Sequence, residues 1–270
     1  MFNLKGHTAL VTGSTKGIGR AIAESCAQAG AHVLVHGRKD SDEAQRVVDR
    51  CRSFGVHAAF VATDLAASTE SAVAQLFATV IDAMPDVDLL INNAGQYFDQ
   101  PFFEMTLERF ERTLRLNVSS AYFLTQKFAL RWSQRSVRGR VLFIGSINGI
   151  LAEPVSTAYD ISKGALEMMV RTLSVTLAPH KIRVNGLAPG LVRTPQTMSL
   201  DQQPQRAAWL AHHTPNGQIP DAKVCGPGAV YLLSDAAEHV HGHMLRVDGG
   251  MAAWQHPEPD PWIRAPDIEA

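Results

Sequence analysis

The sequence is poor in cysteine and has almost no net charge. Its three cysteines, Cys26, Cys51 and Cys225, are odd in number and sit at spacings that suit no metal centre. No disulfide framework is expected. Cys26 and Cys51 fall on helical patterns, where buried free thiols suit a reducing compartment. Lysine and arginine (25) nearly balance aspartate and glutamate (26), leaving a net charge of −1, so nothing electrostatic favours nucleic acid or an anionic membrane. No apolar run approaches the roughly 18 residues that span a bilayer, and the opening residues do not read as a secretory signal peptide. A cytoplasmic protein with neither membrane nor nucleic-acid partner is expected. A Gly-Lys-Ser/Thr phosphate loop is also missing, which disfavours kinase or ATPase chemistry.

Hydrophobic residues, by contrast, make up 46% of the 270 residues, ample for a core. Apolar runs alternate with helical patterns, which predicts an α/β fold: a doubly wound parallel sheet with helices on both faces. The candidate strands are 8–12, 32–36, 58–63, 87–92, 140–145, 182–187 and 244–247. Ile18, Ile22 and Cys26 recur every fourth residue between the first two strands, and Gly30 stops that helix. Leu166, Met169, Val170, Leu173 and Leu177 form one apolar stripe, broad enough to pack on the sheet and on another subunit. A single catalytic domain over 1–255 is expected. The segment 195–226 is irregular and polar, as a substrate-covering loop would be. A proline-rich tail, 256–270, follows.

The chemistry-bearing residues are ordered along the chain. After the first strand comes Thr12-Gly13-Ser14-Thr15-Lys16-Gly17-Ile18-Gly19. Glycines there let the backbone approach a pyrophosphate, and the following helix offers free N–H groups and a positive dipole end. Tyr159 and Lys163, four apart, share one helical face. A fixed positive neighbour favours the phenolate and makes a tyrosine useful for acid–base work. Ser146 supplies a hydroxyl upstream. Eleven histidines invite a metal argument, but neither His212-His213 nor His239, His241 and His243 has a carboxylate or cysteine in ligand spacing, so no metal site is expected.

Taken together, these residues resemble the short-chain dehydrogenase/reductase family in its single-domain branch, whose 3-oxoacyl reductases are among the relatives. The resemblance rests on Gly13, Gly17 and Gly19, on Asn92-Asn93-Ala94-Gly95, and on Asn117, Ser146, Tyr159 and Lys163. It extends to Pro189-Gly190-Leu191-Val192-Arg193-Thr194 and Asp248-Gly249-Gly250. It implies a Rossmann-type, three-layer α/β/α enzyme moving a hydride between a nicotinamide cofactor and a carbonyl or secondary alcohol of ketone, sugar or polyol type. Tyr159 would be the general acid or base, Lys163 would lower its pKa and hold the nicotinamide ribose, and Ser146 would polarise the carbonyl. Asn117 would hold a water for proton relay. Gly13, Ser14, Lys16, Gly17, Ile18 and Gly19 would cradle the cofactor. Asp64 and Leu65 would meet the adenine, and Asn92, Ala94 and Gly95 would line the adenosine side. Thr194 and the Val192 backbone would fix the carboxamide, and Pro189 and Gly190 would also contact the cofactor. A homotetramer or homodimer is implied.

Rival readings are weaker. Enoyl reductases of similar fold separate their Tyr and Lys further. A dinucleotide-sensing regulator without catalysis would be expected to lose Tyr, Lys or Ser, and all three stand. Arg131, Arg135, Arg138 and Arg140 could dock an acyl carrier protein for 3-oxoacyl reduction, but a helix end decorated with cations is the preferred reading. Cofactor choice is more specific. The second strand ends Val35-His36-Gly37-Arg38-Lys39, with no carboxylate where NAD-preferring sites place one, about 20 residues past the glycine turn. Arg38 and Lys16 instead suit a 2′-phosphate, so NADP(H) is expected in preference to NAD(H).

Overall fold

A computed structural model describes residues 2–195, 197 and 203–254. The proline-rich tail and residues 196 and 198–202 of the irregular segment lie outside the described residues. The elements run β1 (Thr8–Val11), α1 (Gly17–Gln28), β2 (His32–Gly37), α2 (Asp42–Arg52), β3 (Ala58–Ala62), α3 (Thr69–Ala83) and β4 (Leu89–Asn92). The chain continues through α4 (Leu107–Leu114), α5 (Ser120–Gln134), β5 (Arg140–Ile144), α6 (Thr157–Leu177), β6 (Arg183–Pro189), α7 (Pro204–His212), α8 (Cys225–Leu233) and β7 (Met244–Val247).

The seven strands form one parallel sheet in the order β3-β2-β1-β4-β5-β6-β7. Strand residues alternate between two buried cores, one on each face. Ala9, Val11, Val33, Val35, Leu89 and Ile91 face the core shared with α1, α2 and α8. Leu10, Leu34, Leu90, Val141 and Phe143 face the core that takes in Leu76 of α3, Leu124 and Phe128 of α5, and Val170 of α6. Burial on both faces is why these strands read as continuous apolar runs. The chain winds outward from β1 through β3, then returns to place β4 against β1. The carboxyl ends of β1 and β4 therefore flank the switch point where such sheets bind ligands.

Three local features differ from the expectations. Residues 204–212 form α7, opened by Pro204 at its first turn, within the segment read as irregular. The stretch Cys225-Gly226-Pro227-Gly228 is helical from Cys225, with Pro227 in the first turn, so the helix begins inside the segment 195–226 read as irregular. Gly226 is needed because a Cβ there would stand 2.0 Å from Ser25 Oγ, where α8 crosses α1. The third is the stripe on α6, which turns inward: Leu166, Met169 and Val170 are buried in the core. The apolar side chains that α6 leaves exposed are Ile161 (54%), Met168 (58%) and Val175 (77%).

All three cysteines are buried and free. Burial pushes each thiol up to about 12, with the neighbouring Cys51 adding to the effect at Cys26, so none is poised as a nucleophile. No helix among the described residues is long and apolar enough to cross a membrane.

Candidate active site

The glycine turn and the loop after β4 are locked together by a compact polar node. Thr12 Oγ1 donates to Ile91 O at 3.2 Å and accepts from the N–H groups of Asn93 (2.9 Å) and Ala94 (3.0 Å). Asn93 Nδ2 donates back to Thr12 O at 2.8 Å and Gly13 O at 3.0 Å. Gly13 has a φ of +62°, and a Cβ there would come within 2.9 Å of Ala94 Cα; at Gly19 it would come within 2.4 Å of Asn93 Nδ2. Only glycine permits this packing.

His36, which the sequence reading passed over, holds the turn from the other side. The Gly13 N–H donates to His36 Nδ1 at 2.9 Å, and His36 Nε2 lies 3.1 Å from Thr63 O. One ring nitrogen accepts and the other donates, so the neutral Nε2–H tautomer fits and the imidazolium does not. Burial pushes His36 down to about 4, outweighing the Thr63 carbonyl and Asp64, which pull it up. Its position just before Arg38, at the end of a strand beside a glycine turn, was the available signal.

A cleft of about 530 Å³ opens above this node. Gly13, Lys16, Gly17, Ile18, Gly19, Arg38, Asp64, Leu65, Ala94, Gly95, Tyr159, Lys163 and Thr194 line it. No side chain caps the N-terminus of α1, which leaves its first N–H groups and positive end facing the cleft. Asp64 accepts from the Ala66 N–H at 3.0 Å, fixing the turn after β3. Across the cleft, Thr194 comes close to Gly17. Ser14 and Asn92 turn inward instead. Ser14 Oγ donates to Val11 O at 2.6 Å and accepts from His36 N at 3.0 Å, and Asn92 Nδ2 donates to Thr125 Oγ1 at 2.9 Å. Pro189 ends β6, Gly190 N–H donates to Val247 O at 2.9 Å, and buried Val192 accepts from Thr197 Oγ1 at 2.9 Å through its carbonyl.

The catalytic candidates converge where α6 meets the end of β5. Lys163 is buried and donates to Ile144 O at 2.9 Å, with its Nζ 5.4 Å from the centre of the Tyr159 ring. Burial lowers the Lys163 ammonium to about 8. Tyr159 is pushed up to about 12 by burial, against the opposing pull of a Ser146 hydrogen bond and with Asp160 and Glu153 adding to the rise. This corrects the expectation that Lys163 brings the phenol down: in this arrangement desolvation wins. Ser146 also caps a short 3-10 turn, accepting from the Asn148 N–H at 3.1 Å.

Asn117 lies in a π-helical turn, Arg115–Ser119, that joins α4 to α5. Its Oδ1 accepts from Gln96 N at 2.9 Å, and its Nδ2 donates to Gln96 O and Ser162 Oγ, both at 3.0 Å. Both amide hydrogens are thus committed to binding the loop after β4 to the residue preceding Lys163. The arginine cluster is elsewhere. Arg140 opens β5, at the end of the sheet opposite the cleft, and bonds Leu233 O and Asp235; Arg138 pairs with Glu238 at 2.8 Å, and Arg131 donates to Pro85 O at 3.2 Å. Among the described residues, no three His, Cys, Asp or Glu side chains are grouped to hold a metal ion.

A family model described as enoyl-(acyl carrier protein) reductase matches residues 13–252. The chain is 32% identical over 251 residues to L-rhamnose 1-dehydrogenase (NADP(+)) of Thermoplasma acidophilum, covering 93% of this chain and 98% of that one. A gluconate 5-dehydrogenase from Burkholderia cenocepacia, solved with NADP and tartrate, superposes with a TM-score of 0.87 at 29% identity, over 94% of this chain and 98% of that one. A 3-oxoacyl (acyl-carrier-protein) reductase from Agrobacterium tumefaciens with NADP bound gives 0.86 at 32%, over 92% and 95%.

His36 gives a prediction about stability. Folded, it stays neutral down to about pH 4; in the unfolded chain it takes its proton near 6.5. Between those values the unfolded chain binds more protons, so stability is present above 6.5 and is lost as pH falls toward 4, by up to about 3 kcal/mol. Urea midpoints measured across this window should fall in the wild type and fall less in His36→Gln. Equal slopes in the two proteins would contradict the assignment.

Proposed function

Since the chain belongs to the short-chain dehydrogenase/reductase family, we propose that it is an NADP(H)-dependent oxidoreductase acting on a carbonyl or secondary alcohol of sugar, polyol or simple ketone type. The observation that carries this reading is the convergence of Tyr159, Lys163 and Ser146 at the end of the glycine-lined cleft. When bound, the nicotinamide supplies or accepts the hydride. The free N–H groups at the start of α1 suit the pyrophosphate, Asp64 and Leu65 suit the adenine, and Ala94 and Gly95 suit the adenosine side, whereas Asn92, bonded to Thr125, braces the loop from within. Val192 and Thr194 are assigned to the carboxamide, and Pro189 and Gly190 to the cofactor beside it.

A phenol pushed up to about 12 is fully protonated at neutral pH, and so stands ready as an acid. In carbonyl reduction Tyr159 gives its proton to the substrate oxygen, and the Ser146 hydroxyl donates a hydrogen bond to the same oxygen as charge develops. Lys163 steadies the resulting phenolate from beneath the ring. In alcohol oxidation the same atoms act in reverse. Asn117 acts as a positioning residue, holding Gln96 and Ser162 in register. Reduction of acyl-carrier thioesters ranks below, because Arg138 and Arg140, two of the four arginines that would receive an acidic carrier protein, are paired with Glu238 and Asp235 at the end of the sheet opposite the cleft.

The assembly we infer is a homotetramer or homodimer in the cytoplasm. Ile161, Met168 and Val175 of α6, with Phe123 and Leu130 of α5, stand exposed as apolar side chains, and closed symmetry would bury them. Light scattering should give a stable multimer, and a monomer at working concentration would count against this assembly.

Two measurements test the chemistry. Tyr159→Phe keeps the ring against its neighbours and removes the transferable proton, so kcat should fall by roughly 10²–10⁴-fold with NADPH binding retained. Near-normal turnover in the folded variant would remove Tyr159 from the mechanism. Arg38→Asp replaces an exposed cation at the cleft by a group that repels a 2′-phosphate. It should raise KM for NADPH by about tenfold or more and disturb NADH much less; a wild type that prefers NADH would overturn the assignment of Arg38 and Lys16.

A further inference from the structure

Beyond the catalytic group, Tyr159 faces a polar wall built from two loops. The ring of Tyr97 packs edge-on against that of Tyr159, with centres 5.0 Å apart and planes at 87°. Tyr97 Oη donates to Asp99, lies 3.3 Å from Glu153 Oε2, and accepts from Ser156 Oγ at 3.2 Å. A backbone bond from Gln100 N to Val155 O at 2.7 Å clips the same two loops together. Glu153 is held in turn, its N–H donating to Asp160 Oδ2 at 2.8 Å. Next to Tyr97, Gln96 lines the cleft, and its buried Nε2 has no hydrogen-bond partner among the described residues. A buried amide donor without a partner costs stability unless something else accepts from it.

The charged side chains of the two loops themselves are all acidic. Asp99, Glu153 and Asp160 are carboxylates, and both Asp160 and Glu153 act on the Tyr159 phenol. Two cations, Lys163 and Arg112, line the cleft that Gln96 also lines; Lys163 bonds Ile144 O. Arg109 bonds Gln100 in a separate recess of about 10 Å³, too small for a substrate.

We propose that Gln96, Tyr97 and Glu153 are specificity-determining residues that make the enzyme select neutral polyhydroxylated substrates, sugars or polyols, over the corresponding sugar acids. Gln96 offers a donor and Glu153 an acceptor to substrate hydroxyls beside the reacting carbon, and the carboxylates repel an anionic substrate arriving at the same place. Asp99 and Ser156 act through Tyr97 as positioning residues. This inference rests on the oxidoreductase reading given above and narrows its substrate class.

The test compares NADP⁺ reduction with D-glucose, L-rhamnose and D-sorbitol against D-gluconate, in the wild type and in Glu153→Gln, at low and raised ionic strength. The wild type should have the higher kcat/KM on a neutral member. Glu153→Gln should raise the gluconate-to-neutral ratio by about fivefold, the scale of one partly screened charge. Raised salt should move the wild-type ratio the same way and the variant's ratio less. A wild-type preference for gluconate, or a ratio unchanged by the substitution, would overturn the wall. NADPH oxidation by a plain ketone or a 3-oxoacyl thioester, with no turnover of the polyhydroxylated compounds, would overturn the wall and leave the oxidoreductase reading standing. No turnover of any of these substrates would strike both.

Discussion

The structure depends on the close apposition of the ends of β1 and β4, fixed by Thr12 and Asn93. One hydroxyl accepts two backbone N–H groups and donates to a carbonyl, and one carboxamide spans the two carbonyls of the glycine turn. These bonds satisfy backbone groups that leave the sheet ladder at the moment the chain turns away from it. They also set the height of the glycine turn above the sheet. Gly13 and Gly19 are forced by the same contact, since a methyl group at either would drive the two loops apart. The cleft, the uncapped start of α1 and the approach to Tyr159 all inherit their positions from this junction.

Much of the fold could be read in the sequence because the sheet is buried on both faces. Continuous apolar runs marked all seven strands, with errors only at their ends. β4 begins at Leu89 and not at Val87, because the Val87 carbonyl is taken by the Trp132 indole N–H at 2.7 Å. α7 was not visible for the opposite reason. None of its residues is buried, so no apolar period marks it. The stripe on α6 was read correctly as apolar but serves the core, while the exposed Ile161, Met168 and Val175, seven residues apart, form a second line along that helix.

The candidate site divides along the same line. Residues whose type carries their chemistry (Tyr159, Lys163, Ser146, the glycines) stood out in the sequence, as did the cations Lys16 and Arg38 that line the cleft. Residues whose meaning comes from a partner far along the chain did not. His36 matters because Gly13 and Thr63 close on it, and Tyr97 matters because Glu153 and Ser156 arrive beside it from another loop. The electrostatic outcome was likewise not legible: a lysine four residues from a tyrosine reads as an activating charge, yet enclosure of both groups moves each toward its neutral form.

The winding of the sheet also orders events in time. Strand β1 finds its first neighbour in β2, a short distance along the chain, but its second neighbour is β4, and Asn93 lies 81 residues beyond Thr12. Until that distant strand docks, the glycine turn has no clamp. Parallel pairings of this separation close slowly, because loop entropy is lost before contacts compensate. A chain emerging from the ribosome would therefore expose β1 with one edge unpaired through the synthesis of β2, α2, β3 and α3. The nucleotide cradle is among the last features of its half to become rigid, although its residues are among the first made.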